Sequence, residues 1–185
     1  MKNVLIILIS TLLCCVNNKT IETQQWKITS TGVGVFKMNT SVSLISVDSF
    51  MKITDTSYND EEYISYGKCY YINKDEFYTI WYSENENNEI YEIEIKAKNA
   101  KTSDGIMIGT SIDNLFSDGI KNYHVFDDFG ELVLVDMEQN IRFHFNGLKK
   151  LENSELNDLY KNTLSIDKKK CLKINVSQID IFLSE

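Results

Sequence analysis

The chain has 185 residues, 43% of them hydrophobic and 25% charged, with a formal charge of −8. That length and apolar content suit one compact domain, or two small ones sharing a core. The acidity repels phosphate backbones and disfavours nucleic acid as a partner, and the absence of proline excludes a Pro-rich linker or a collagen-like segment.

Lys2 precedes an apolar run over residues 4–13. The run is too short to span a bilayer, which takes about 20 residues, and reads as a secretory signal. Leu12-Leu13-Cys14-Cys15 follows, then a polar tether over residues 17–25. These residues resemble a bacterial lipoprotein signal. Leu12 stands at the family's leucine position, Cys14 is the small residue before the modified one, and Cys15 is the acceptor. The resemblance implies a signal over residues 1–14, a lipidated Cys15 opening a tether over 15–25, and export to the cell envelope. Acyl chains would hold the chain firmly, since each buried CH₂ contributes about 0.8 kcal/mol. Val16, where enterobacterial inner-membrane lipoproteins carry Asp, favours the outer membrane. The plainer alternative is an ordinary cleaved signal with incidental cysteines. Export also permits a disulfide between Cys69 and Cys171. Its long loop would be worth about 4–5 kcal/mol in the chain-entropy account; two buried free thiols are the other reading.

Residues 28–45 (ITSTGVGVFKMNTSVSLI) echo residues 101–116 (KTSDGIMIGTSIDNLF). Thr29-Ser30-Thr31-Gly32 matches Thr102-Ser103-Asp104-Gly105, and residues 37–42 match 107–112. Each copy reads as a short strand, a turn and a helix start. Asn39 and Gly109 stand where the chain must turn, and both residue types tolerate φ > 0. Thr110 or Ser111 then caps a helix, with Ile112, Leu115 and Phe116 on its buried face. The first copy makes a weaker helix, because its β-branched residues lower helix propensity. The chain is therefore expected to hold two similar units, over residues 26–98 and 99–185.

In the first unit, residues 68–72, 77–83 and 89–96 are rich in aromatic and β-branched residues and read as strands joined by hairpin-length connections. Tyr91, Ile93 and Ile95 alternate with Glu92, Glu94 and Lys96, as in a sheet with one wet face. Residues 77–82 carry aromatics on both faces. Tyr78, Trp81 and Tyr82 are thus the candidate binding face, although a central strand covered on both sides is the commoner cause. Glu84, Glu86, Glu89, Glu92 and Glu94 lack calcium-loop spacing and read as a solvated surface.

In the second unit, residues 123–126, 132–135 and 141–145 read as a meander. Ser154 caps an expected helix carrying Leu156, Leu159, Tyr160, Thr163 and Leu164 on one stripe, and residues 171–183 close the unit as a strand or hairpin. Ile179-Asp180-Ile181 parallels Ile93-Glu94-Ile95. Turn, short helix and antiparallel meander, given twice, is similar to the tandem layout of the β-lactamase-inhibitor-protein fold and the small outer-membrane assembly lipoproteins. The resemblance rests on Ile108-Gly109-Thr110-Ser111 and implies an α+β binding scaffold without catalysis.

No catalytic signature accompanies this layout. His144 alternates with Phe143 and Phe145 and should face outward beside Arg142, while His124 sits near Asp127 and Asp128. No serine lies in a nucleophile elbow, no zinc-ligand spacing occurs, and Gly32-Val33-Gly34 lacks a dinucleotide fingerprint. The expected fold class is α+β, two units each with a short helix and an antiparallel meander, with no metal and no cofactor. The expected function is a non-enzymatic, lipid-anchored envelope module that binds another envelope protein. Alternatives are an exported inhibitor or immunity-type protein, or a hydrolase or carbohydrate-active enzyme. A cleft holding a histidine against carboxylates would favour the enzyme; an exposed aromatic sheet face would favour binding.

Overall fold

A computed structural model describes residues 25–59, 63–84, 87–117, 123–128, 131–146 and 174–183. Twelve strands and a single short α-helix lie among them. A small sheet has the order β3-β2-β1-β8, from Phe36–Lys37, Gly32–Val33, Trp26–Thr29 and Ala100–Lys101. A large sheet has the order β4-β5-β6-β7-β12-β11-β10-β9. Its first half is Lys52–Asn59, Ile64–Tyr71, Phe77–Tyr82 and Ile90–Ile95 (β4 to β7), and its second half is Tyr123–Asp128, Glu131–Asp136, Ile141–Asn146 and Asn175–Phe182 (β9 to β12). Every pairing within it is antiparallel.

This architecture corrects the expected α+β class: the protein is mostly β. The opening helix of the first copy is only a 3-10 turn, Val42–Leu44, and the second is α1, Ile112–Ser117. Val42 and the polar run around it hold too little helical propensity to extend that turn. The expected helix from Ser154 lies outside the described residues.

The turns that open the two halves match bond for bond. Asn39 and Gly109 both have positive φ, 57° and 91°. Asn39 N–H donates to Ile90 O, and Gly109 N–H donates to Val176 O. Ile90 N–H returns to Thr40 O, and Val176 N–H returns to Thr110 O. The Ser41 and Ser111 hydroxyls each accept the backbone N–H two residues on. The two halves meet at β7 and β12, where Ile93 pairs with Ile181, Glu94 with Asp180 and Ile95 with Ile179.

One apolar core lies on one face of the large sheet. Tyr78, Ile80, Ile93 and Ile95 from the first half join Ile141, Phe143, Ile179 and Ile181 from the second. The small sheet covers it with Ile28, Val33 and Phe36, while Ile112 and Leu115 of α1 cover the second half. Tyr78 is fully buried and donates its hydroxyl to Asn99 Oδ1 at 2.5 Å. Among the described residues no helix is long and apolar enough to cross a membrane.

Candidate functional site

The opposite, outer face of the large sheet carries the polar chemistry. Strand alternation sends Glu92 and Glu94 of β7, Asp180 of β12, Arg142 and His144 of β11, and Trp81 of β6 to that side. Glu94 and Asp180 are direct cross-strand partners. Like charges directly opposite destabilise a sheet, so neighbouring strands must compensate. On the β12 side His144 Nε2 meets Asp180 Oδ2 at 2.5 Å, with side chains only 14% and 3% exposed. Gln178 donates to the other Asp180 oxygen at 2.9 Å. Arg142 Nη2 reaches Glu92 at 2.8 Å, and its guanidinium lies over the Phe182 ring. On the β7 side Trp81 Nε1–H donates to Glu94 Oε1 at 2.6 Å.

The two bulges of the sheet relate these pairs. In β6–β7 the register shifts after Trp81, leaving Tyr91 as the extra residue, and in β11–β12 it shifts after His144, leaving Ser177. Trp81–Glu94 and His144–Asp180 are therefore the same bond in the two halves, a ring nitrogen against a carboxylate. A bulge also re-aims side chains. Tyr91 joins Tyr58, Ser65, Trp81, Glu92 and Glu94 around a groove of about 270 Å³. Gly67 lies under the Trp81 ring: a Cβ there would stand 2.8 Å from Trp81 Cε3. The missing side chain lets the indole lie on the sheet.

Burial pushes the Glu92 carboxyl up to about 7, against the lowering pull of Arg142 and with Asp180 and Glu94 adding to the rise. Glu94 is also raised, by burial first, with the Trp81 bond opposing. A raised acid keeps its proton in the folded chain after the unfolded chain has lost it, so stability falls as pH rises from about 4.5 to about 7. Tenfold in proton affinity is worth about 1.4 kcal/mol, so the Glu92 contribution to that fall is on the order of 3 kcal/mol. Glu92→Gln should flatten the dependence, as read by urea unfolding at pH 5, 6, 7 and 8. Curves for the two proteins that run parallel across this window would refute it.

The structure separates the residues singled out in the sequence. Tyr78 is in the core, Tyr82 is half-buried on the core side, and Trp81 alone of the three lines the groove. Cys69 is a buried free thiol near Thr79 Oγ1 at 3.7 Å. Cys15 and Cys171 lie outside the described residues. His124 is exposed on β9, across from Val135 and two strands from His144. Glu92 and Glu94, assigned in the sequence to a solvated surface, belong to the site, and Asp180, Arg142, Tyr58, Tyr91 and Gly67 join them. The signal available was the shared Ile-acid-Ile pattern, which marks two central strands carrying carboxylates on the same face. Among the described residues no group of three or more His, Cys, Asp or Glu converges to hold a metal.

No protein family and no curated protein matches this chain. The chain is similar in structure to the uncharacterized protein YfeY from Escherichia coli, with a TM-score of 0.60 and 15% identity over 85% of this chain and 99% of that one. That likeness is one of fold.

Proposed function

We propose that this protein is a non-enzymatic binding module of the cell envelope, exported and held by a lipid on Cys15, which recognises another envelope protein. The observation that carries the reading is the outer-face groove. Three aromatic rings and two carboxylates surround an open depression, and the indole is fixed by Gly67 below and Glu94 beside it. Aromatic side chains combine large contact area with low conformational entropy, and they anchor interfaces. Tyr58 is 60% exposed at the rim and so available to a partner.

A second reading has one observation in its favour. His144 lies against a buried carboxylate, as in the histidine–acid pairs of hydrolases. Asp180 and His144 are nonetheless seated within the sheet face and do not line the groove, which ranks binding first.

The test is cross-linking and recovery of the tagged protein from its own envelope. Wild type should fractionate with membranes and recover one partner in near-stoichiometric amount, whereas Cys15→Ala should leave the membrane fraction. Membrane retention of Cys15→Ala would refute the anchor. Absence of any partner above background would refute the interaction role.

A further inference from the structure

We infer that the groove between Tyr58, Trp81, Tyr91, Glu92 and Glu94 receives a cationic group, the ammonium or guanidinium of a lysine or arginine side chain on the partner protein. This rests on the binding reading above and gives it a ligand chemistry.

The charges argue first. Glu92, Glu94 and Asp180 sit on adjacent central strands, and Glu94 faces Asp180 directly. Arg142 bonds Glu92 at 2.8 Å and lies 3.8 Å from Asp180, and His144 also serves Asp180. The groove end of this network therefore holds Glu94 with the neutral Trp81 N–H as a hydrogen-bond donor. Lys96, on the same side of β7, stands 5.4 Å from the Phe77 ring centroid, and its pull on the Glu94 charge is weaker than the push from Asp180. A neutral ligand such as a sugar would leave the repulsion between the carboxylates in place. A cation relieves it.

The aromatic walls argue second and independently. A cation over an aromatic face is attracted by the ring quadrupole, most strongly at tryptophan. Gly67 keeps the Trp81 ring flat on the sheet, because any Cβ would collide with it at 2.8 Å. The bulge at β7 brings in Tyr91, and Tyr58 rises at the rim from β4. A ring fixed before binding loses little entropy when it is covered. The size of the groove is compatible with a partner side chain as the source. The groove is open and of about 270 Å³, room enough for one protruding side chain.

The consequence for protons is specific. A cation beside Glu92 favours its charged form, so binding near pH 7 should expel a proton and weaken at pH 5. The groups facing Glu92 are Arg142, Asp180 and Glu94, and those facing Glu94 are Trp81, Asp180, Lys96 and Thr79.

The experiment uses the full chain in a non-ionic polyoxyethylene detergent and follows the Trp81 indole N–H by nuclear magnetic resonance. N-acetyl-arginine methylamide and N-acetyl-lysine methylamide should shift that resonance saturably. The neutral citrulline analogue and maltose should bind at least about tenfold more weakly, and Glu92→Gln/Glu94→Gln should abolish the response. The amide oxygen that replaces the Glu94 carboxylate can still accept the indole N–H, so this variant is expected to fold. Equal binding of citrulline, a response to maltose alone, no response to either cation, or unchanged binding by the double variant would each overturn the inference. The envelope recovery separates it from the broader reading. A partner lost by the double variant supports both. A partner retained by it overturns the groove as the docking point and leaves the binding module standing. Cation binding with no recoverable partner keeps the cation chemistry but overturns the partner-protein source, together with the binding-module reading.

Discussion

Phe36→Ala should lower the unfolding free energy by about 4 kcal/mol and the melting temperature by roughly 10 °C. Phe36 is fully buried, and its ring centroid lies 5.6 Å from Trp26, 4.8 Å from Tyr70 and 5.2 Å from Tyr78. Trp26 and Phe36 come from the small sheet, Tyr70 and Tyr78 from the large one. This aromatic cluster therefore joins the two sheets, and removing its centre leaves a cavity that neighbouring backbone ladders cannot collapse to fill. Urea and thermal unfolding measure the loss. A change below about 1 kcal/mol would show that the sheets do not share this core.

Gly32→Ala should cost about 3 kcal/mol or more. Gly32 has a φ of 139°, and a Cβ there would lie 2.2 Å from the carbonyl oxygen of Phe36. That oxygen is backbone, so no rotamer change relieves the contact. The strand cannot retreat either, because Gly32 pairs with Thr29 on one side and Lys37 on the other. Gly105→Ala is the control. Gly105 also has a positive φ, 81°, but nothing lies within 4 Å of its Cβ position. It should lose only about 1 kcal/mol, the cost of the left-handed backbone alone. Equal losses at the two glycines would refute the steric account.

Those two experiments probe the small sheet, whose pairing is not legible in the sequence. The reason is physical. Its strands are two to four residues long, too short for a periodic pattern, so each opening segment reads as one short strand, a turn and a helix start, with nothing to show that the strands pair into a sheet. Strand β4 was missed for another reason. Its eight residues, KITDTSYN, are mostly exposed at a sheet edge, so no apolar alternation marks them. Its partner β5 extends back to Ile64, beyond the expected start at residue 68, through Ile64, Ser65 and Tyr66, which are exposed or half-buried and so carry no apolar alternation.

The site was half legible. The alternation around Ile93 and Ile95, and that around Phe143 and Phe145, correctly assigned Glu92, Glu94, Arg142 and His144 to the face away from the core. What alternation could not say is that this face would bury its charges. Burial comes from strands that are distant in sequence, and only their assembly brings Asp180 within reach of His144 and Arg142. The bulge that lifts Tyr91 out of its alternating position is likewise a pairing event, invisible in a single strand.

By itself the sequence determined most strands of the large sheet and the turns at Asn39 and Gly109. These are local matters, set by side-chain period and by which residues tolerate positive φ. Only the tertiary structure decided that the meanders fuse edge to edge through β7 and β12, that the opening segments stay too short to make an α+β fold, and that Tyr91 and Trp81, the latter seated over Gly67, line a groove beside paired carboxylates. Those outcomes depend on register between strands far apart in the chain, and a strand carries its own side-chain alternation but not the identity of the neighbour that completes its hydrogen bonds.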